Sequence, residues 1–225
     1  MDELNQLPQD FTFPPTIDLP QKIRTEIVEI LWSDLLKGIS DVELLADNVD
    51  GMLEDDVEVE FDDITAIAEA LLAYRRSQLA AAKADGRIQP SRLTKAFEEI
   101  AAQNVLALQN FSCCGNCGSA EATEEMYEHN NRGYIYFHEQ DTETLIETEE
   151  TYLGYGVNWS HICTEEEYNA LSDRQKEQRY VAACQKLADE VLKPTFEKHG
   201  IVFNWNGDLS VRMHISQADY FADLS

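Results

Sequence analysis

Basic residues are scarce in this chain: 17 Lys and Arg stand against 43 Asp and Glu over 225 residues, a formal net charge of −26. The shortage is general, with 7 bases to 20 acids before Pro90 and 10 to 23 from there on. Nucleic-acid binding rests on Lys and Arg neutralising phosphates, so that class of function is excluded, and anionic membrane surfaces are disfavoured for the same reason. No run approaches eighteen apolar residues, which leaves no expected membrane span. The start, MDELNQLPQD, has neither the basic nor the apolar segment of a secretory signal. Five cysteines, an odd number bunched in sequence, do not make a disulfide framework and point to a reducing, cytoplasmic compartment.

What is there is an ordinary globular composition, 44% hydrophobic and 27% charged. A chain of this length buries roughly 70% of its unfolded surface, in one large domain or two small ones. The acidic field suits solubility or a salty cytosol. It would equally attract and steer a basic protein partner, with a gain that fades as salt shortens the roughly 8 Å Debye length.

Residues 1–20 carry Pro8, Pro14, Pro15 and Pro20 and read as an extended arm. A helical region is expected over 21–86. Ile23, Ile27, Ile30, Leu31 and Leu35 repeat at helical spacing until Gly38, and Ser40 with Glu43 has the pattern of a capping box before a second helix. EDDVEVEFDD, 54–63, holds seven acids in ten residues and reads as a solvated loop or a docking strip for a basic partner. A long helix is expected from about Asp63 to Lys83.

ADGRIQP, 84–90, marks a boundary, and an α+β domain is expected over 88–225. Ser91 caps a helix to about Gln103, and VLALQNF, GYIYFH and TYLGYG read as strands, with EQDTETLIETEE an acidic stretch between the last two. Ser172 and Gln175 make a capping box for a helix that Pro194 should kink or split and Gly200 should stop. IVFNW and LSVRMHI flank Asn206-Gly207, which suits a tight type I′ turn with Leu209, Val211, Met213 and Ile215 facing inward. The fold class is α+β: a helical N-terminal region, then a mostly antiparallel sheet of about five strands with helices packed on one face.

FSCCGNCG, 111–118, concentrates the chemistry. Cys114 and Cys117 stand in Cys-x-x-Cys spacing, and Gly115 and Gly118 free the backbone to turn both sulfurs to one point, half of a tetrahedral zinc site. No second Cys-x-x-Cys completes it. The candidates are His138, His161 with Cys163, and Cys113, the last disfavoured because adjacent cysteines seldom reach one ion without strain. Three readings are open: a metal clip, buried spectator cysteines, or a reactive thiol at a helix start, with His138 as base and Asp141 as orienter. FHEQDTE, 137–143, offers a second constellation in which His138, Asp141 and Glu143 suit either a divalent ion or hydrogen bonds at a strand end.

The runs SRLTKAFEEIAAQNVLALQNFSCCGNCG, GYIYFHEQDTE and YLGYG together resemble a bacterial family of domains of unknown function, whose members read drLxxAFxxLxxxGIvaxqnFxCCxxCG, GYvFFHxQDTE and a YG strand. KHGIVFNWNGDLSVRMHIS is similar to that family's HGLxvxWdGxxxxrIxl hairpin. The resemblance covers about residues 88–156 and 183–216 and implies that these elements form one domain. Its motif residues fall on Phe111, Cys113, Cys114, Cys117, Gly118, His138, Gln140, Asp141, Thr142 and Glu143, which favours His138 as the fourth ligand. IETEET replaces the family's Gly-rich approach to the third strand, and 157–182 reads as an insertion.

Two functional expectations follow. One is a non-enzymatic acidic binding protein, of inhibitor or immunity type, that covers a basic partner and carries a CCxxC/His site for a structural zinc. The other is a metal- or thiol-dependent enzyme or redox or metal sensor that uses Cys114, Cys117, His138 and Asp141.

Overall fold

The structure is a computed structural model that describes residues 3–53, 57, 59–86, 91–222 and 224. Glu54, Asp55, Asp56 and Glu58 of the acidic run, and the boundary segment 87–90, lie outside the described residues. The chain divides into two compact units, Met1–Gln89 with Phe221–Ser225, and Pro90–Tyr220. Among the described residues no helix is long and apolar enough to cross a membrane.

The first unit is built on three helices, α1 (Gln21–Lys37), α2 (Val42–Met52) and α3 (Phe61–Ala84). Their apolar repeats bury Ile27, Leu31, Leu35, Leu45, Val49, Ile64, Ile67 and Leu71. Gly38 ends α1 at φ 101°, a left-handed conformation that only glycine adopts without strain. The cap of α2 is Asp41, whose carboxylate accepts from the Leu44 N–H at 3.0 Å, and not the expected Ser40. Asp is as good an N-cap as Ser, and its negative charge suits the helix start. The expected arm is not freestanding. Leu4 and Ile17 are buried, the Trp32 indole donates to Asn5 O, and the buried Arg75 reaches Leu4 O and Asn5 Oδ1. The tail also groups with this unit rather than with the sheet: Leu224 is buried and its carbonyl accepts from Arg76 Nε at 2.8 Å.

The second unit contains α4 (Arg92–Ala101), β1 (Val105–Leu108), α5 (Gly115–Glu128), β2 (Gly133–Tyr136), α6 (Glu139–Thr148) and β3 (Glu150–Val157). Next come α7 (Glu165–Ala170), α8 (Asp173–Leu187), α9 (Lys193–Lys198), β4 (Val202–Asn204) and β5 (Met213–Ser216). The sheet order is β1-β2-β3-β5-β4; only β1 and β2 are parallel, and α5 supplies the crossover that such a pair requires. The architecture is thus α+β with a mostly antiparallel five-stranded sheet. On one face Ile135, Phe137, Leu153, Met213 and Ile215 are buried with Leu93, Phe97 and Ile100 of α4 and Phe196 of α9. Phe97 meets Phe137 and Phe196 edge to face at 5.5 and 6.2 Å. Each such buried side chain contributes about 1.5–3 kcal/mol. On the other face α5 lays Ala122 and Met126 over Tyr134 and Tyr136.

Local outcomes differ from expectation at three places. EQDTETLIETEE is mostly helix α6, because Leu145 and Ile146 are buried while Glu143, Glu147 and Glu149 face out. The split at Pro194 takes the form of a π turn over Ala188–Leu192, in which the Lys193 N–H reaches Ala188 O. That wider turn accommodates a residue that has no N–H of its own to donate. No type I′ turn forms at Asn206-Gly207. Gly207 has φ 82° but Asn206 is not left-handed, and residues 205–212 make a longer loop. Asn206 Oδ1 takes the Asp208 N–H and Asp208 Oδ1 takes the Ser210 N–H, so side chains satisfy the backbone without a strand ladder. Leu209 and Val211 are exposed there rather than inward.

Candidate metal centre

The cysteine loop begins where β1 ends. Phe111 N–H donates to Phe137 O at 2.9 Å, and Glu139 N–H donates to Ser112 O at 3.2 Å. Thr142 Oγ1 donates to Asn110 Oδ1 at 2.7 Å. These bonds dock FSCCGNCG on FHEQDTE, so the two motifs, with 18 residues between them in sequence, form one surface. Asn110 and Ser112 have φ 48° and 66°. For Ser112 this is a sparsely populated conformation that costs on the order of 1–3 kcal/mol and that the surrounding bonds must hold in place.

The reversal has a chemical result. Two neighbouring cysteines in plain extended chain point to opposite sides. Here the pair lies between the left-handed Ser112 and the start of α5 at Gly115. The sulfurs of Cys113, Cys114 and Cys117 lie within 4.8 Å of one another, a group that could hold a metal ion. Cys113, expected to be the weakest ligand, is therefore part of the cluster. Cys117 sits inside the first turn of α5 rather than before it. Cys113 and Cys117 are exposed and Cys114 is half-buried, so the cysteines are not buried spectators. Three sulfurs on one zinc at about 2.3 Å stand roughly 3.8 Å apart at tetrahedral angles, within reach of side-chain rotation here.

The three thiols are not equivalent. Cys114 is held below the usual 9.0, first by the Cys117 backbone N–H, then by the Cys117 thiol, the Asn116 N–H and the Cys113 thiol. None of these N–H groups closes a full cap hydrogen bond; they act as dipoles at a helix start. Cys117, donating to Cys114 and facing both neighbours, is pushed up to about 11. The surroundings thus favour a thiolate at Cys114 over one at Cys117.

His138 does not join the sulfurs. It caps α6: its Nδ1 accepts the Asp141 N–H at 3.3 Å, while Asp141 Oδ2 accepts the His138 N–H at 3.2 Å. Its Nε2 lies 3.1 Å from Asp141 Oδ2. A ring whose Nδ1 lone pair takes an N–H carries its proton on Nε2, so it is neutral. Burial agrees, since it pulls the imidazole below 6.5 and outweighs the opposing pull of Asp141. Nε2 points toward Gly115, next to Cys114, but has no lone pair free for a metal. Asp141 is committed as well, to Arg212 through Oδ1 at 3.0 Å and Oδ2 at 2.5 Å. Gln140 and Glu143 are exposed on α6. His161 Nε2 bonds Asn130 O at 3.1 Å, and neither it nor Cys163 approaches the cluster.

Tyr136 and Arg212 were not among the expected site residues. Tyr136 supports the helix that carries the thiols, and Arg212 anchors the 205–212 loop to Asp141 and to Tyr152 O at 2.6 Å. Together with Gly115, Asn116 and Ser119 they line a cavity of about 380 Å3. Arg212 was legible in principle, as the r of WdGxxxxrIxl.

No curated protein and no solved structure matches this chain. A family model described as "Domain of unknown function (DUF6891)" matches residues 20–221. It takes in the three helices of the first unit, which the cysteine and FHEQDTE motifs do not reach. The chain belongs to the DUF6891 family.

Proposed function

We propose that this protein is a binding protein that holds one thiophilic divalent ion, of which zinc is the commonest, through Cys113, Cys114 and Cys117. The observation that carries the reading is the mutual approach of the three sulfurs to within 4.8 Å on an exposed surface. Three protein ligands leave a fourth position for water, a small thiol or a partner's side chain, the pattern of an open rather than a closed zinc site.

Metal analysis of protein purified without a metal-affinity tag tests this, together with cobalt substitution read by the thiolate-to-cobalt absorption band. One ion per chain is expected, lost in Cys117→Ser and retained in His138→Asn. Reduced protein that takes up neither zinc nor cobalt overturns it. An intramolecular disulfide formed in place of metal uptake would transfer the site to thiol chemistry.

The acidic surface supports a second reading, engagement of a basic protein partner. Its affinity should fall steeply between low and physiological salt; binding indifferent to salt would remove it.

A further inference from the structure

We infer that the segment 157–168 and the end of α5 form an aromatic cage for a trimethylammonium group, a site separate from the thiols. A cavity of about 440 Å3 is lined by Tyr127, Trp159 and Tyr168 together with Ser160, Cys163 and Glu165. The volume is in the range of small-ligand pockets. Trp159 and Tyr168 stand 4.8 Å apart at 68°, which makes a corner of two near-perpendicular rings, and Tyr180 supports Trp159 at 5.8 Å. Tyr127, half exposed at 49%, reaches the same cavity from α5.

These walls are held in place before any ligand arrives. Asn158 is buried and donates to Asn131 O at 2.9 Å, while its Oδ1 accepts the Ser160 N–H and hydroxyl at 2.9 and 2.8 Å. The Trp159 carbonyl accepts the Ile162 and Cys163 N–H groups. Thr164 and Glu167 close a capping box that fixes α7 and with it Tyr168.

The chemistry of the lining selects a cation. Ring faces attract positive charge through their quadrupole, and Trp does so best. Glu165 adds a carboxylate, within a chain of net charge −26. The protein already uses one of these rings in this way: Lys176 Nζ, which is not part of the lining, lies 4.2 Å from the Tyr168 centroid. A primary ammonium keeps strong hydration and needs hydrogen-bond acceptors. A trimethylammonium group is weakly hydrated and apolar at its surface, so it fills aromatic walls and retains the charge. Two sources carry this group, a free choline-like molecule and a trimethylated lysine of another protein.

Titration of the full chain with choline, with a trimethyllysine peptide and with the uncharged choline isostere 3,3-dimethylbutan-1-ol tests the site, read by calorimetry. Both cations are expected to saturate, and the isostere to bind about tenfold more weakly or worse. Trp159→Ala should weaken cation binding about tenfold. Tyr127→Ala, at an exposed position that the fold tolerates, should weaken it severalfold, and Glu165→Gln should do the same at low salt. Cys117→Ser should leave it unchanged, which separates this site from the metal reading. A peptide preferred over choline assigns a protein-borne ligand; choline bound as tightly or more tightly assigns a small molecule. The inference is overturned by an isostere that binds as tightly as choline, by the absence of saturable binding, or by a folded Tyr127→Ala with unchanged affinity.

Discussion

The phenol of Tyr136 donates to the carbonyl oxygen of Gly115 at 2.7 Å, tying the central strand β2 to the first residue of the helix that carries the thiols. With its proton given to Gly115, the phenol oxygen of Tyr136 in turn accepts from Ser119 Oγ at 2.7 Å. The ring has this position only because it is flanked by glycines. A Cβ on Gly118 would stand 2.5 Å from it, and one on Gly154 would overlap it. Burial raises the Tyr136 pKa, so the phenol keeps the proton that it donates.

Tyr136→Phe should therefore lower stability by about 1–2 kcal/mol and weaken metal uptake, since the start of α5 loses its tie to the sheet. Gly118→Ala should lower stability by about 1–3 kcal/mol through overpacking. Gly51→Ala, in α2 with nothing within 4 Å of the added carbon, should instead stabilise by roughly 0.5–1 kcal/mol. Urea unfolding of the three variants, followed unit by unit, gives the comparison. Equal effects at Gly118 and Gly51 would contradict the close packing of Tyr136.

In reduced, metal-free protein Cys114 should be the first thiol alkylated by iodoacetamide, with a rate that rises at pH values below 9.0. Cys117 should lag until pH approaches about 11. Buried Cys184, pushed up to about 12, should stay unmodified in the native chain. Mass spectrometry over a pH series reads the order. Cys114→Ser should abolish the fast phase, and a wild-type profile like that of a free thiol would refute the assignment.

His138 is neutral and buried, with a pKa below 6.5 in the folded chain. As pH falls below 6.5 the unfolded chain takes up a proton that the folded chain resists. Stability should therefore drop from pH 6.5 down through the folded pKa and level off below it. His138→Asn, which can still cap α6 through its side-chain oxygen, should remove that component. His138→Ala should cost about 1 kcal/mol at pH 7.5 as well, through loss of the cap. A wild-type and His138→Asn pair with identical pH dependence would show the imidazole to be charged or solvated.

Arg212→Met should destabilise by about 1–3 kcal/mol, because it leaves the largely buried Asp141 carboxylate without its two guanidinium bonds. Arg212→Lys should recover only part of this, since an ammonium cannot reproduce the paired geometry. Hydrogen exchange at 205–212 should accelerate in both variants. Unchanged protection there would mean that the loop is held by Trp205 alone, whose indole donates to Asp208 O and Val211 O at 3.2 Å.

Much of this molecule is written in local patterns. The apolar repeats of α1 and α3, the stop at Gly38, the caps at Ser91 and Ser172 and the strand GYIY are set by spacing and by turn chemistry that acts within a few residues. The cysteine run and FHEQDTE stand out by residue type in the sequence itself. Net charge likewise needs no fold.

Other features depend on contacts that no local window contains. EQDTETLIETEE is helical because Leu145 and Ile146 find a core. Asn206-Gly207 is not a tight turn because Trp205 and Arg212 bind across the loop. Cys113 joins Cys114 and Cys117 in a loop that bonds from the next motif hold in place. His138, the best fourth ligand by residue type, is consumed as a helix cap by a carboxylate three residues on. Residue types determined which groups were available for chemistry. Long-range hydrogen bonds and packing decided which of them face one another, because a lone pair spent on the backbone cannot also hold a metal.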